Sequence, residues 1–151
     1  MSVIVNFLAK IIPQKKIIFI VEDNDVYAKS LQTFLKKHFP EIKEIMIFSI
    51  GEVCLTEMYR KPIIVIVDYF LNSKFVSAYN GIEIIKRIKA QIPQTEIIVL
   101  SSHEQATVIS AEIERYNCSY LQKDADAFSN IEHLVKKIIK NKKSPTLAPV
   151  N

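Results

Sequence analysis

The stretch of sequence that decides the fold is Ile63-Ile64-Val65-Ile66-Val67-Asp68, in which five aliphatic residues are followed by one carboxylate. The run is short, contains no glycine and follows Pro62, so it predicts a strand that is buried on both faces. Because a carboxylate is costly to bury, we expect Asp68 to emerge at the C-terminal end of this strand. In an open parallel sheet the crevice outside those strand ends binds ligands, which makes Asp68 a candidate site residue.

A second apolar run, residues 17–21, ends in the same manner, in Glu22 and Asp23. Two strands would therefore bring three carboxylates to one edge of the sheet. Ionised carboxylates repel one another, so they either take up a proton or share a cation. Hard oxygen ligands that are few in number suit Mg²⁺, which keeps several of its waters. A carboxylate beside such an ion can also act as a nucleophile toward phosphorus, which gives an aspartyl phosphate.

Length and composition predict one folded domain and argue against several function classes. The chain has 151 residues, of which 49% are hydrophobic and 2 are glycines, so its body is not a disordered segment. The net charge of +4 comes largely from lysines near the C-terminus, a pattern more typical of a solvated helix end than of a nucleic-acid site. Cys54 and Cys118 match no metal or redox spacing. We expect a cytoplasmic protein without a signal peptide or a membrane span.

Apolar runs alternate with helical patterns along the chain, which is typical of βαβ units around a parallel sheet. The predicted strands are 16–21, 44–48, 63–67, 96–100 and 119–121. The predicted helices are 26–38, 51–60, 81–91, 104–116 and 128–140. The connection 69–80 is long for this class of fold, and it is either functional or merely mobile.

Two terminal segments flank the predicted domain, which covers residues 15–141. Residues 1–14 form an amphipathic extension, in which apolar residues recur at helical spacing until Pro13. This extension either packs on the edge of the domain or serves in docking or self-association. Residues 142–151 contain lysines and prolines, and we expect them to form a disordered tail.

Two further strand ends add polar groups to the edge of the sheet where the three carboxylates are expected, which we call the carboxylate edge. Ser101 follows the run 97–100, and Lys123 follows the fifth strand, where its ammonium can reach a phosphoryl oxygen as a charge-assisted donor. Each residue alone has an ordinary explanation. Asp68 and the pair 22–23 could be helix caps or turn residues. Ser101 could be an ordinary loop residue, and Lys123 could be a solvated side chain. Their occurrence in order at the ends of strands one, three, four and five is much stronger evidence for a functional site.

The chain resembles the receiver domain of the two-component response regulator family over residues 16–140. The resemblance rests on five motifs: Val21-Glu22-Asp23-Asn24, Val67-Asp68, Asn80-Gly81, Leu100-Ser101-Ser102 and Tyr120-Leu121-Gln122-Lys123-Asp124. It implies an α/β fold, a doubly wound, flavodoxin-like sheet of five parallel strands flanked by five helices.

The resemblance implies roles for four of the candidate residues. Asp68 matches the phosphoacceptor, Lys123 the invariant lysine and Ser101 the switch hydroxyl. Tyr120 matches the aromatic residue that turns inward when Ser101 moves toward the phosphoryl group. These movements would reshape the face made by the fourth helix, the fifth strand and the fifth helix.

The resemblance also implies how the metal would be held. Asp23 and Asp68 would bind Mg²⁺ directly, together with the backbone carbonyl of Phe70, and Glu22 would act largely through water. The phosphoryl group would then come from a histidine kinase or a histidine phosphotransfer protein. Transfer would depend mainly on positioning and on charge neutralisation.

The implied function is signalling rather than enzymatic turnover of a separate substrate. Self-catalysed phosphoryl transfer and slow loss of the phosphoryl group are the only chemistry expected. No nucleic-acid-binding output domain is expected to follow residue 140, so the output would be contact with a downstream protein or relay of the phosphoryl group to a histidine phosphotransfer protein. The basic tail could also begin a linker to a further domain. Homodimer formation is left open.

Three other function classes share parts of this pattern. A pseudo-receiver would bind partners without phosphorylation, but retention of all five site residues argues against it. A phosphatase with an aspartate nucleophile usually needs a second aspartate where Phe70 stands. A flavodoxin-like cofactor binder needs a phosphate-cradling loop after the first strand, where Glu22 and Asp23 would repel phosphate.

The chain departs from the family pattern near the phosphoacceptor. Asn72 stands where the family usually has proline, in a loop that is longer by about five residues. Asp124 follows Lys123 where proline is usual, which is a minor variation. Phe70 and His103 stand at the positions that flank the path of attacking water in the family.

We expect Phe70→Asn to shorten the lifetime of the phosphorylated protein, because a bulky apolar side chain two residues after the acceptor hinders hydrolysis. The decay can be followed by intact mass after removal of the phosphodonor, with Leu71→Asn as the neighbouring control. An unchanged half-life for Phe70→Asn would contradict this role.

Overall fold

The structure is a computed structural model that describes residue 3 and residues 15–71, 80–102 and 106–143. Several sequence predictions concern residues outside these ranges. They include nearly all of the N-terminal extension, the greater part of the 69–80 connection, His103 and the tail beyond residue 143.

The described residues form a single parallel sheet flanked by helices, in the order expected from the sequence. The strands are β1 (Ile17–Val21), β2 (Glu44–Phe48), β3 (Ile64–Asp68), β4 (Glu96–Ser101) and β5 (Ser119–Gln122). The α-helices are α1 (Asp25–His38), α2 (Gly51–Thr56), α3 (Gly81–Gln91), α4 (Ala106–Glu114) and α5 (Ala127–Lys143). The strand order is β2-β1-β3-β4-β5 and every pairing is parallel, which confirms the doubly wound, flavodoxin-like class.

Strands β1 and β3 are apolar, apart from Asp68 at the end of β3, because both of their faces are covered. Every residue of β1 and β3 is buried. One face of the sheet packs on α1 and α5, and the other packs on α2, α3 and α4. Burial of each isoleucine or valine in these strands contributes about 1.5–3 kcal/mol, so the apolar runs are the main source of the sheet's stability.

The structure corrects the sequence prediction for residues 51–60, which do not form one helix. Helix α2 ends at Thr56, and a short 3-10 turn follows at Met58–Arg60. Lys61 then adopts a left-handed backbone with φ 53°. Pro62 accounts for the end of the 3-10 turn at Arg60, because a proline disfavours the right-handed helical conformation in the residue before it.

The last two helices end at different places from those expected. Helix α4 ends at Glu114, and Asn117 adopts a left-handed backbone with φ 54° before β5 begins. Helix α5 continues through Lys142 and Lys143, two residues that the sequence assigned to the tail. Its last turn carries lysines, which suit the negative end of a helix dipole.

Asparagine caps begin the two helices that follow the carboxylate-bearing strands. The Asn24 side chain accepts a hydrogen bond from the Tyr27 amide at 2.9 Å, and the Asn80 side chain accepts one from the Glu83 amide at 3.1 Å. Both caps satisfy amides that the helix itself leaves without partners. They thereby fix where the chain leaves the carboxylate edge.

Gly81 lies against the backbone that carries the last residue of β3. A β-carbon at Gly81 would stand 2.6 Å from the carbonyl oxygen of Asp68 and equally close to the backbone of Tyr69. The Gly81 amide also donates to the Tyr69 carbonyl at 3.2 Å. Glycine at this position therefore permits α3 to approach the carboxylate edge closely.

We expect Gly81→Ala to lower the free energy of unfolding by about 1–3 kcal/mol, because the added methyl group meets backbone that cannot move aside cheaply. Urea denaturation measures the change. Gly51→Ala is the comparison, since the nearest atoms that a β-carbon would meet there belong to the buried side chain of Ile84 rather than to backbone. Equal losses of unfolding free energy in the two variants would contradict the claim that the backbone beside Gly81 excludes a β-carbon.

Candidate functional site

Three carboxylates converge at the C-terminal edge of the sheet. Strands β1 and β3 are neighbours, with Val21 opposite Val67, so Glu22 and Asp68 leave the sheet side by side. Carboxylate oxygens of Glu22, Asp23 and Asp68 lie within 4.8 Å of one another. Glu22 is 2% exposed and Asp68 is 6% exposed. The strand order reverses direction at β1 and β3, which is where ligands bind in doubly wound sheets.

Lys123 brings a positive charge to these carboxylates from the far side of β4. Its ammonium nitrogen lies 2.9 Å from Asp68 Oδ2 and also pairs with Glu22. The Lys123 amide donates to the carbonyl of Ser101 at 2.8 Å, which fixes the start of the side chain. The ammonium group further lies 4.5 Å from the centre of the Tyr27 ring, a favourable cation–π distance.

Burial and pairing have opposite effects on the charges of this cluster. Burial raises the pKa of Glu22, and the hydrogen bond from Lys123 offsets this only in part. Burial lowers the pKa of Lys123, but its hydrogen bonds to Glu22 and Asp68 outweigh that effect, so its pKa is raised. Lys123 is therefore held firmly in its charged form.

The charges and donor atoms of the cluster fit a hard divalent cation. Three ionised carboxylates and one ammonium leave a formal charge of −2 at this edge. All three acidic residues supply oxygen, the ligand that Mg²⁺ prefers. The sequence prediction that Glu22, Asp23 and Asp68 lie together is thus met by the geometry.

The backbone after β3 holds the Asp68 side chain in place. The Phe70 amide donates to Asp68 Oδ1 at 3.0 Å, while Oδ2 receives Lys123. The Tyr69 amide continues the pairing with β4 by donating to the Leu100 carbonyl at 2.8 Å. The role of the Phe70 carbonyl as a metal ligand remains a prediction.

Ser101 and Tyr120 occupy the positions expected of them. Ser101 is the last residue of β4, is fully buried, and stands one residue beyond the partner of Asp68 in the sheet register. Tyr120 lies on β5 opposite Val99 and packs against the face covered by α2, α3 and α4. Its hydroxyl group is buried and has no hydrogen-bond partner in the described part of the chain.

Sequence reasoning missed two tyrosines that contact the site or its surroundings. Tyr27 lies beneath the ammonium of Lys123, and the only signal for it is its place in the first turn after the acidic pair. Tyr69, directly after Asp68, donates its hydroxyl to Glu112 Oε2 of α4 at 2.8 Å. Burial, aided by this bond, raises the pKa of Tyr69 to about 12.

A family model described as the response regulator receiver domain matches residues 18–138. The chain belongs to this family. The resemblance seen in the sequence motifs is thereby confirmed. A search of curated proteins finds no matching relative.

Solved receiver domains share the fold at low sequence identity. The BeF3-activated receiver domain of DrrB from Thermotoga maritima is 20% identical with a TM-score of 0.67, over 83% of this chain and 97% of that one. The signal receiver domain of a DNA-binding response regulator from Colwellia psychrerythraea is 21% identical with a TM-score of 0.66, over 83% and 98%. The response regulator domain of Thermotoga maritima CheB is 21% identical with a TM-score of 0.66, over 86% and 98%. Within the described ranges, no helix of this receiver domain is long and apolar enough to cross a membrane.

We expect Lys123→Met to lower the free energy of unfolding by about 2 kcal/mol or more without divalent ions, because it leaves buried carboxylates uncompensated. Urea denaturation measures the loss, and adding Asp68→Asn to the variant should restore part of it. Lys136→Met is the matched control, since Lys136 pairs with Glu132 at the surface, where water screens the interaction. Equal losses from the two lysine variants would contradict this account.

Proposed function

We propose that this receiver domain accepts a phosphoryl group on Asp68 in a Mg²⁺-dependent reaction. The observation that carries the proposal is the surroundings of the Asp68 carboxylate. One of its oxygens is held by the Phe70 amide, the other contacts the Lys123 ammonium, and two further carboxylates lie beside it. A nucleophile, a cation site and a donor for a phosphoryl oxygen thus share one crevice.

The proposed donor is the phosphohistidine of a histidine kinase or a histidine phosphotransfer protein. A carboxylate oxygen of Asp68 forms a bond to phosphorus while the bond from phosphorus to the donor imidazole breaks. The imidazole nitrogen keeps the electron pair of that bond and takes up a proton from solvent. The product is an acyl phosphate on Asp68 and a free histidine, so no other reactant is consumed.

The residues of the chain have separate roles in this step. Asp23 and Asp68 would hold Mg²⁺ with the backbone carbonyl of Phe70, and Glu22 would act through water. When bound, the ion supplies positive charge that offsets the charge of the phosphoryl oxygens. Lys123 already contacts Asp68 Oδ2, so its ammonium can donate to a phosphoryl oxygen without a large movement.

The signal is proposed to leave the site through Ser101 and Tyr120. Ser101 would move its hydroxyl toward the phosphoryl group, and Tyr120 would then turn inward and reshape the face made by α4, β5 and α5. In the structure the hydroxyl of Tyr120 is already buried, without a hydrogen-bond partner in the described part of the chain. The Tyr69–Glu112 hydrogen bond also joins the residue after the acceptor to α4.

The proposed role is therefore that of a cytoplasmic signalling acceptor rather than an enzyme with a separate substrate. Its upstream partner is the phosphodonor, and its output is contact with a downstream protein through the α4-β5-α5 face. A phosphorylation-independent pseudo-receiver is the alternative. The combination of Asp68 with the acidic pair and Lys123 disfavours it, because a protein-binding module has no need of these buried charges.

The test is incubation of the protein with acetyl phosphate and Mg²⁺, followed by intact mass measurement. We expect one phosphoryl adduct on the wild type, none on Asp68→Asn, and none when the divalent ion is removed with EDTA. Asp126→Asn is the matched control, because this exposed aspartate lies outside the carboxylate cluster. An adduct on Asp68→Asn, or no adduct on the wild type, would contradict the proposal.

A further inference from the structure

Tyr27, in the first turn of α1, contacts the charged group of Lys123, yet none of the steps proposed above uses it. The ammonium nitrogen of Lys123 lies 4.5 Å from the centre of the Tyr27 ring and over its face. The same nitrogen pairs with the carboxylates of Glu22 and Asp68. The ammonium group is therefore held between two carboxylates and the face of one aromatic ring.

One residue, Asn24, places both Tyr27 and one of the two carboxylates. The Asn24 amide donates to Glu22 Oε1 at 3.0 Å. The Asn24 side chain accepts a hydrogen bond from the Tyr27 amide at 2.9 Å, which is the cap at the start of α1. Because the same residue fixes the carboxylate and the backbone that carries the ring, these two neighbours of Lys123 are set in a constant relation to each other.

Helix α5 supports the Tyr27 ring from another side. The rings of Tyr27 and Phe128 meet edge to face, with their centres 5.5 Å apart. Phe128 in turn contacts the ring of Phe34, at 5.3 Å between centres. Aromatic pairs at these distances are favourable. The ring beneath Lys123 is thus fixed by the cap of α1 and by α5, so it is a firm surface for the ammonium group.

Tyr27 acts on this cluster through its ring rather than through its hydroxyl group. The hydroxyl is buried and has no hydrogen-bond partner among the residues that the structure describes. Burial raises the pKa of Tyr27, so the group stays neutral and adds no charge to the site. The face of an aromatic ring nevertheless attracts a cation, because it carries the negative part of the ring quadrupole.

Lys123 needs such a partner because its side chain is long and must exchange hydrogen bonds during the reaction. A lysine stem has many rotamers, and the bond from the Lys123 amide to the Ser101 carbonyl fixes only its start. The hydrogen bond to Asp68 Oδ2 weakens steeply once its geometry is lost. Attraction to a ring extends to about 6 Å from its centre, so the ammonium could move away by about 1.5 Å and still be held by Tyr27.

We propose that Tyr27 is a positioning residue for Lys123, whose ring keeps the ammonium group beside Asp68 while the ammonium exchanges a carboxylate partner for a phosphoryl oxygen. The inference rests on the proposed function, since transfer to Asp68 is the step that Lys123 serves. Tyr27 itself does not contact the phosphoryl group. A residue that only filled space between α1 and α5 could be replaced by any apolar side chain of similar size, and this difference is what the experiment tests.

The first measurement is the rate at which acetyl phosphate and Mg²⁺ form the phosphoryl adduct, followed by intact mass. Tyr27→Leu removes the ring and keeps an apolar side chain, and we expect it to slow adduct formation by about three- to tenfold. Tyr27→Phe keeps the ring and removes only the unpartnered hydroxyl, so its rate should lie within about twofold of the wild type.

Phe34→Leu is the matched control. Phe34 is a half-buried aromatic residue on the same helix, and its ring contacts Phe128 as the Tyr27 ring does. The control therefore removes one aromatic contact between α1 and α5 without removing the ring beneath Lys123. We expect its phosphorylation rate to stay within about twofold of the wild type.

The second measurement locates the Lys123 side chain by NMR without any phosphodonor. Protons that lie over the face of an aromatic ring are shifted upfield by its ring current. We expect the ε-methylene protons of Lys123, assigned by their absence from Lys123→Arg, to resonate upfield of the usual lysine range in the wild type and in Tyr27→Phe. In Tyr27→Leu they should return to that range, while Phe34→Leu should leave them shifted.

Four outcomes would overturn the positioning role of Tyr27. They are an unchanged phosphorylation rate in Tyr27→Leu, an equal loss of rate in Tyr27→Phe, an equal loss in Phe34→Leu, and the absence of the upfield shift from the wild type. A wild type that takes up no phosphoryl group would instead contradict the proposed function. The Lys123 resonances would then still decide whether the Tyr27 ring holds the ammonium group.

Discussion

The ion pairs of Lys123 with Glu22 and Asp68 are the interaction on which the rest of the site depends. Two carboxylates that are almost wholly buried would be costly without a positive partner, and Lys123 provides it at 2.9 Å from Asp68. The compensation is incomplete, because Asp23 brings the formal charge to −2. Lys123 therefore neutralises part of the buried charge in this receiver domain. The net negative charge that remains still favours a bound cation.

The order of the strands produces this arrangement and gives the molecule two chemically different ends. Because β1 and β3 are neighbours, the acidic ends of both strands meet, while β4 intervenes before β5 and Lys123 reaches across it. The opposite ends of the same strands receive lysines from the connecting segments. Acidic and basic surfaces are thus separated by the length of a strand.

Several contacts link Asp68 to the elements around it. Lys123 is tied to β4 through the Ser101 carbonyl, and Tyr69 is tied to α4 through Glu112. Gly81 allows α3 to touch the backbone of Asp68 and Tyr69. The Asp68 carboxylate is therefore adjacent to β4, α3 and α4, the elements through which the proposed signal would leave the site.

The sequence by itself determined the strands, because runs such as 63–67 and 97–100 are apolar enough to be stable only when both faces are covered. It also identified Glu22, Asp23, Asp68, Ser101 and Lys123, because strand-end positions can be read from the boundaries of those runs. Only the tertiary structure decided the non-local contacts. The Tyr69–Glu112 bond and the place of Tyr27 beneath Lys123 join residues far apart in the chain. Local patterns of hydrophobicity do not predict such contacts, because the contacts depend on how the helices pack against the assembled sheet.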